Sequence, residues 1–239
     1  MLWVYAIWEH APEPPLAAIA TGLADAPLDA VRAGPLAAVV SRHAEAPASP
    51  TRAALWEHER VVEALMAERP VLPMRFGSTV DGEPRIRAFL DEREAPLAAA
   101  LARVRGHVEL SVRALAREPA PPDLRSSASR DGTRTTTPPD GTSGRDYLLA
   151  LLARERVADD AADALHAPLA TLAADAHRAP PRDVGELLRG AYLVPRAAIP
   201  RFRRKVDQLQ ARRPDVTFLC TGPWPPYSFV ESEDDGFTR

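Results

Sequence analysis

Residues 51–77 read TRAALWEHERVVEALMAERPVLPMRFG, and this stretch decides the fold. Thr51 is a helix N-cap residue type, whose hydroxyl accepts from an amide that the first turn leaves without a partner. Leu55, Val62, Leu65 and Met66 recur on one face at helical spacing, which predicts a helix packed on that face. Pro70 stops it. Val71–Gly77 then reads as a strand with a proline inside. Pro73 has no N–H for a ladder, so the strand is expected at a sheet edge or a bulge.

Working upstream, residues 28–41 (LDAVRAGPLAAVVS) hold two short strands, Leu28–Arg32 and Leu36–Ser41, about an Ala33-Gly34-Pro35 turn. Residues 2–8 (LWVYAIW) are aromatic and β-branched, which suits a pleated, half-buried surface. Between them, Pro15–Gly22 reads as a short helix with proline in its first turn and glycine at its end. The order βαββαβ is that of a ferredoxin-like unit.

Downstream, Pro84–Arg105 reads as a helix, or a helix pair broken at Pro96. His107–Ala116 alternates through Val108, Leu110, Val112 and Ala114 and is a predicted strand. Residues 117–144 carry five prolines and almost no large apolar side chain. Such a segment cannot offset its conformational entropy by burial and is expected to be a disordered linker. Leu151, Glu155, Ala158, Ala162, Leu165, Leu169 and Leu172 then follow a 4-3-4-3 rhythm, which predicts a long amphipathic helix kinked at Pro168. A strand near Ala191–Val194, a helix at Ile199–Arg212 and a strand at Val216–Cys220 complete a second α+β half. The fold class expected is therefore α+β in two domains, 1–116 and 145–230, with the linker between them and an acidic tail at 231–239. Arg69-Pro70-Val71 and Arg213-Pro214-Asp215-Val216 occur at the same helix-to-strand passage of the two halves, with a slip of one residue. That echo leaves duplication and coincidence both open.

Composition narrows the function. With 46% apolar and 26% charged residues the 239-residue chain has the make-up of a soluble globular protein. A net charge of −3 gives no general support to a nucleic-acid partner. No apolar run approaches the roughly 20 residues that span a bilayer, so no membrane partner and a cytoplasmic location are expected. One cysteine, Cys220, excludes an intrachain disulfide and a cysteine-rich metal site. No glycine-rich phosphate loop is present.

The remaining candidates for chemistry are sparse. His166 and His177, even on one unbroken helix, would stand roughly 16 Å apart, too far to share a metal ion. His58, within Glu57-His58-Glu59, reads first as a histidine held by a neighbour at a packed helix start. Cys220 lies in an apolar strand pattern, where a lone thiol behaves as a small buried hydrophobe. No catalytic, cofactor or metal residues are assigned. The peptide CTGPWPPYSFV at 220–230 is stiffened by prolines and rich in aromatic area. It either packs onto the core and closes its domain, or forms a rigid surface that grips an apolar partner.

Three of these motifs carry a resemblance. WEHE at 56–59, VLPMRFG at 71–77 and CTGPWPPYSFV at 220–230 resemble the signatures of the GvpF/GvpL gas vesicle family, and WVYAIW at 3–8 with Ala191-Tyr192-Leu193-Val194 fits the same pattern. The resemblance implies a two-domain α+β protein with an N-terminal ferredoxin-like unit and a C-terminal, modified ferredoxin-like domain. It implies a non-enzymatic, cofactor-free assembly factor at the gas vesicle, with the major shell protein as partner and other gas vesicle accessory proteins as further partners. The contact residues expected are Met74, Arg75, Phe76, Trp224 and Tyr227, acting by strand addition at the Pro73 edge and by apolar contact. Two other expectations stand beside this one. The chain could be a minor structural component retained in the shell, or a ferredoxin-like enzyme using His58 and Cys220.

Overall fold

Strand β1 (Leu2–Glu9) is buried at every residue but Glu9, because both of its faces are covered. Leu2, Val4 and Ile7 face one apolar cluster, and Trp3, Tyr5, Ala6 and Trp8 face another. Simple alternation would put Tyr5 and Ala6 on opposite faces. The pairing with β3 (Leu36–Arg42) explains the slip: Val4 opposes Val40 and Ala6 opposes Val39, leaving Tyr5 as the extra residue of a bulge.

The computed structural model describes residues 1–10, 21–45, 51–117, 156, 159–183 and 185–230. They fall into two units, Met1–Leu110 with Leu193–Ile199 and Thr221–Arg239, and Ser111–Tyr192 with Pro200–Cys220.

In the first unit the antiparallel sheet runs β2-β3-β1-β4, with β2 at Leu28–Ala33 and β4 at Leu72–Pro73. This sheet order is that of the ferredoxin-like unit expected from the βαββαβ element order; most of the helix expected at Pro15–Gly22 lies outside the described residues. Helix α1 (Arg52–Glu68) buries His58, Val61, Val62 and Leu65 against the Trp3/Tyr5/Trp8 face, and the Thr51 side chain accepts from the Ala54 amide as expected. Leu55, placed on the packed face by its spacing, is instead exposed, because Val61 takes the inner position.

Helices α2 (Glu83–Glu92) and α3 (Glu94–Val104) cover the other face with Ile86, Leu90, Leu101 and Val104. They break at Arg93 and not at Pro96. Pro96 sits in the first turn of α3, where a missing N–H costs nothing because no intrahelical acceptor exists for it.

The predicted strand Val71–Gly77 is two residues long. Pro73 does lie at the sheet edge, paired with Ala6, but the chain leaves the ladder after it and returns as β5 (Thr79–Val80) beside Leu2 and Trp3. The excursion spans the Tyr5 bulge and is tied at both ends, by Met74 N to Tyr5 O and by Val4 N to Ser78 O. Gly77, at φ +96°, makes the turn.

The other sheet runs β7-β8-β6-β9, with β6 at His107–Ala116, β7 at Asp175–Arg178, β8 at Glu186–Pro195 and β9 at Val216–Trp224. Taken in chain order this repeats the β2-β3-β1-β4 arrangement, with β6 as the first strand of the second set. β6, grouped with domain 1–116 on sequence, thus hydrogen-bonds in the second sheet. Helix α4 (159–170) buries Ala162, Leu165 and Leu169, three positions of the predicted rhythm; Leu151, Glu155 and Ala158 lie outside the described residues, and Leu172 follows the helix in a turn. Helix α5 (Ile199–Arg212) matches its predicted bounds and buries Phe202, Val206 and Leu209. β8 and β9 run longer than the expected Ala191–Val194 and Val216–Cys220, and β7 was not expected. The Arg-Pro echo falls at the passages α1 to β4 and α5 to β9, which are topologically equivalent.

Candidate functional site

The three motifs converge within the first unit. Along α1, each residue of Glu57-His58-Glu59 has a structural duty. The Glu57 carboxylate accepts from the Ala24 amide at 3.0 Å, where Ala24 and Asp25 adopt positive φ. The His58 Nδ1 accepts from the Trp3 indole at 3.0 Å, and its Nε2 donates to the Met74 carbonyl at 2.9 Å. Glu59 accepts from the Tyr227 hydroxyl at 2.8 Å. His58 is 2% exposed. Burial holds its pKa down to about 4, against the opposing pull of the Met74 carbonyl, so the ring is neutral at physiological pH.

Aromatic rings close around this histidine. Phe76 meets Trp3 edge-on at 4.8 Å between centroids, and Tyr5 stacks on His58 at 5.2 Å. The Tyr5 hydroxyl accepts from the Leu23 amide at 2.7 Å and shares a 2.8 Å bond with the Ser41 hydroxyl. WVYAIW, WEHE and VLPMRFG are therefore parts of one hydrogen-bonded aromatic core.

The closing peptide packs into the same unit. Pro225, Pro226 and Phe229 are buried, and Arg103 donates to the Phe229 carbonyl. The Glu109 carboxylate accepts from both the amide and the hydroxyl of Ser228 at 2.8 Å. Burial raises the Glu59 pKa against the lowering effect of Tyr227, and its Oε1 is buried without a hydrogen bond among the described residues. Burial and the adjacent Glu59 push the Tyr227 phenol well up.

The five expected contact residues thus divide. Met74 is 5% exposed and belongs to the core cluster of Leu2, Val4 and Ile86, so its side chain is no contact surface. Tyr227 is committed to Glu59. Phe76 and Trp224 are half-buried, the latter with its indole N–H donated to Thr221, and Arg75 is exposed. The two-residue edge strand, with proline as its second residue, gives a partner almost no ladder to extend.

Sequence reading passed over the neighbours of these residues. Trp56 is 58% exposed and Leu55 44%, on the outer face of α1 less than one turn before His58. No hydrogen bond or ring contact involves Trp56 among the described residues. A tryptophan inside a charged WEHE run, off the Val62, Leu65 and Met66 stripe, was the available signal. His58 and Cys220, the candidate groups for catalysis, lie in different units. Both nitrogens of His58 are occupied, and burial pushes the Cys220 thiol up, away from the thiolate. No group of three or more His, Cys, Asp or Glu side chains suited to a metal occurs among the described residues, and no helix there is long and apolar enough to cross a membrane.

These features define a tandem α+β protein whose motif residues are spent on holding its strands and closing peptide together. The profile of the family described as gas vesicle synthesis protein GvpL/GvpF matches residues 1–231, and the chain belongs to this family. It is 32% identical over 198 residues to gas vesicle protein F of Streptomyces sp. (strain CB03234), covering 76% of this chain and 79% of that protein. It is also 32% identical over 189 residues to gas vesicle protein L of the same strain, covering 72% and 67%. The crystal structures of GvpF from Microcystis aeruginosa and from Anabaena sp. PCC7120 superpose with TM-scores of 0.76 and 0.75 at 18% and 19% identity, covering 96% of this chain and 98% and 95% of theirs. Both halves of the fold are thus those of solved relatives, and the chain is a gas vesicle protein that takes part in vesicle formation.

Proposed function

We propose that this protein binds the apolar major shell subunit during gas vesicle assembly and shields it from aggregation until it polymerises. A wall that excludes water from a gas space needs subunits with a strongly apolar face, and such a face aggregates unless covered. The observation that supports the reading is the Leu55-Trp56 pair, two large apolar side chains left in solvent on the helix that carries a family motif. Tryptophan at the centre of a protein contact supplies a large share of its energy. The exposed Arg75 and the exposed parts of the half-buried Phe76 and Trp224 are further contact candidates. Met74 and Tyr227 act from behind, by fixing the chain that carries this surface.

The test is capture of co-expressed shell subunit by tagged full-length protein. Leu55→Ala with Trp56→Ala is expected to reduce capture by at least about tenfold, the consequence of losing more than about 1.4 kcal/mol of contact energy. Its melting temperature should stay at the wild-type value, because both side chains are solvent-exposed. Undiminished capture by this folded variant would reject the proposed surface.

A further inference from the structure

At the C-terminal end of α1 the first unit holds a cleft of about 230 Å³, walled by residues 66–71, 104–107, Arg196 and Pro226. Its polar lining is dominated by cations. Arg69 lies with its guanidinium 4.3 Å over the Trp8 ring centroid, and no carboxylate pairs with it among the described residues. Arg196 spends one N–H on the Met66 carbonyl at 2.8 Å. Arg105 is already paired with Glu9 at 2.8 Å, and the His107 Nδ1 donates to the Arg105 carbonyl. Glu68 is the one carboxylate of the wall.

A helix C-terminus attracts cations by itself, and the Arg196 bond to Met66 is such a cap. That accounts for one donor of a five-donor group. It does not account for Arg69, whose guanidinium lies over the Trp8 ring and makes no hydrogen bond or ion pair among the described residues, the neighbouring Glu68 acting on it only through space. Trp8, beneath Arg69 and outside the cleft wall, also lacks an acceptor. Its indole N–H is buried and has no hydrogen-bond acceptor among the described residues. Cationic donors outnumber carboxylates at this wall, where Glu68 is the one acid.

We infer that this cleft is a binding site for a small tetrahedral oxyanion of the phosphate type, held by Arg69 and Arg196. Guanidinium forks match the oxygen spacing of such anions, and two forks from different elements suit a ligand with more than two acceptor oxygens. Size sets the class. At about 30 Å³ per water the cleft has room for about eight waters, enough for one hydrated oxyanion and too little for a nucleotide. The site lies away from Leu55 and Trp56 in sequence and shares no residue with the proposed shell contact, so either reading survives the failure of the other.

The experiment is a calorimetric titration of the full chain with inorganic phosphate at constant ionic strength. Saturable one-site binding is expected, weakened about tenfold or more by Arg69→Gln and again by Arg196→Gln, each of which removes a charge-assisted fork. The paired change Arg201→Gln with Arg204→Gln, on exposed positions of α5, alters the net charge more and should leave the affinity unchanged. Should Arg196→Gln fail to fold for want of its Met66 bond, Arg69→Gln decides alone, and Arg69→Lys should recover only part of the affinity. Absence of saturation up to about 50 mM phosphate, a constant in the range of nonspecific association, would overturn the assignment. So would equal loss in the α5 pair, or tighter binding of hexaglutamate than of phosphate, which would make the wall a general acidic contact.

Discussion

Replacing His58 by glutamine separates a buried, neutral histidine from every other titrating group in the protein. The folded pKa of His58 is held down to about 4, while the unfolded chain returns it to its ordinary 6.5. Between those values the unfolded state binds a proton that the folded state refuses, so stability is fully present above about pH 6.5 and is lost as pH falls toward 4. The size follows from the two constants. Going from pH 7 to pH 5 this one group removes about 2 kcal/mol, and the full displacement is worth about 3 kcal/mol by pH 4. Against a total stability of about 5–15 kcal/mol, that is a large share. Glutamine keeps both bonds in kind, accepting from Trp3 and donating to the Met74 carbonyl, and it does not titrate.

The assay is urea unfolding followed by tryptophan fluorescence at pH 7, 6 and 5. All four tryptophans, at positions 3, 8, 56 and 224, lie in the first unit, so the signal reports on that unit alone. Wild type should lose about 2 kcal/mol across the range, or about 1 M in urea midpoint for a typical m of about 2 kcal/mol per M. His58→Gln should begin lower at pH 7 and stay nearly level, so that the two curves converge. Parallel decline of both proteins would refute the reasoning, because the acid loss would then belong to other groups, such as His43, whose pKa burial also lowers.

Two further changes probe the closing peptide and its turn. Tyr227→Phe removes the hydrogen bond to Glu59 and should cost about 1–2 kcal/mol at pH 8. Because the Glu59 pKa is already raised, its charged form is the destabilising one, so the penalty should shrink as acid neutralises it; a penalty equal at pH 8 and pH 5 in urea unfolding would contradict this. Gly222→Ala faces both a φ of +109° and a Cβ that would stand 2.7 Å from the Glu109 carbonyl oxygen, and should lower stability by about 2 kcal/mol or more. Gly77→Ala, at φ +96° with open space around the new carbon, should cost only about 1 kcal/mol. Equal melting temperatures for the two alanine variants would show that the Glu109 approach is not tight.

The sequence carried the α+β class because periodicity survives wherever an element has one dry face. Thr51, the buried Val62 and Leu65, and the full span of α5 were legible for that reason. The errors cluster where tertiary context overrides local pattern. Val71–Gly77 looked like one strand, yet Pro73 and the Tyr5 bulge across from it divide the ladder into β4 and β5. Pro96 looked like a helix break, yet proline is tolerated in a first turn, and the break fell at Arg93. β8 was underestimated because its inner residues include Glu186. That carboxylate reads as exposed but is buried against Arg113 and the Arg182 amide. The site was legible only in its motifs, since nothing local reveals that Glu57, His58 and Glu59 are each claimed by a different distant segment.

That division bears on how loss of function in this family is interpreted. A motif residue such as His58, Phe76 or Tyr227 joins segments far apart in sequence, so its replacement lowers the stability of the whole first unit. Vesicles lost after such a change say little about contact, because a poorly folded gas vesicle protein and one with a damaged surface give the same cell. Trp56 is the informative position. It belongs to the same motif, yet its side chain is 58% exposed and makes no ring contact or hydrogen bond among the described residues. A surface substitution of this kind ordinarily changes stability by no more than about 0.5 kcal/mol. Vesicle loss in Trp56→Ala with an unchanged urea midpoint would therefore rule out destabilisation as the cause and is the result the proposed shell contact predicts. Vesicle formation preserved in Trp56→Ala but lost in His58→Gln would place the motif's role entirely in folding.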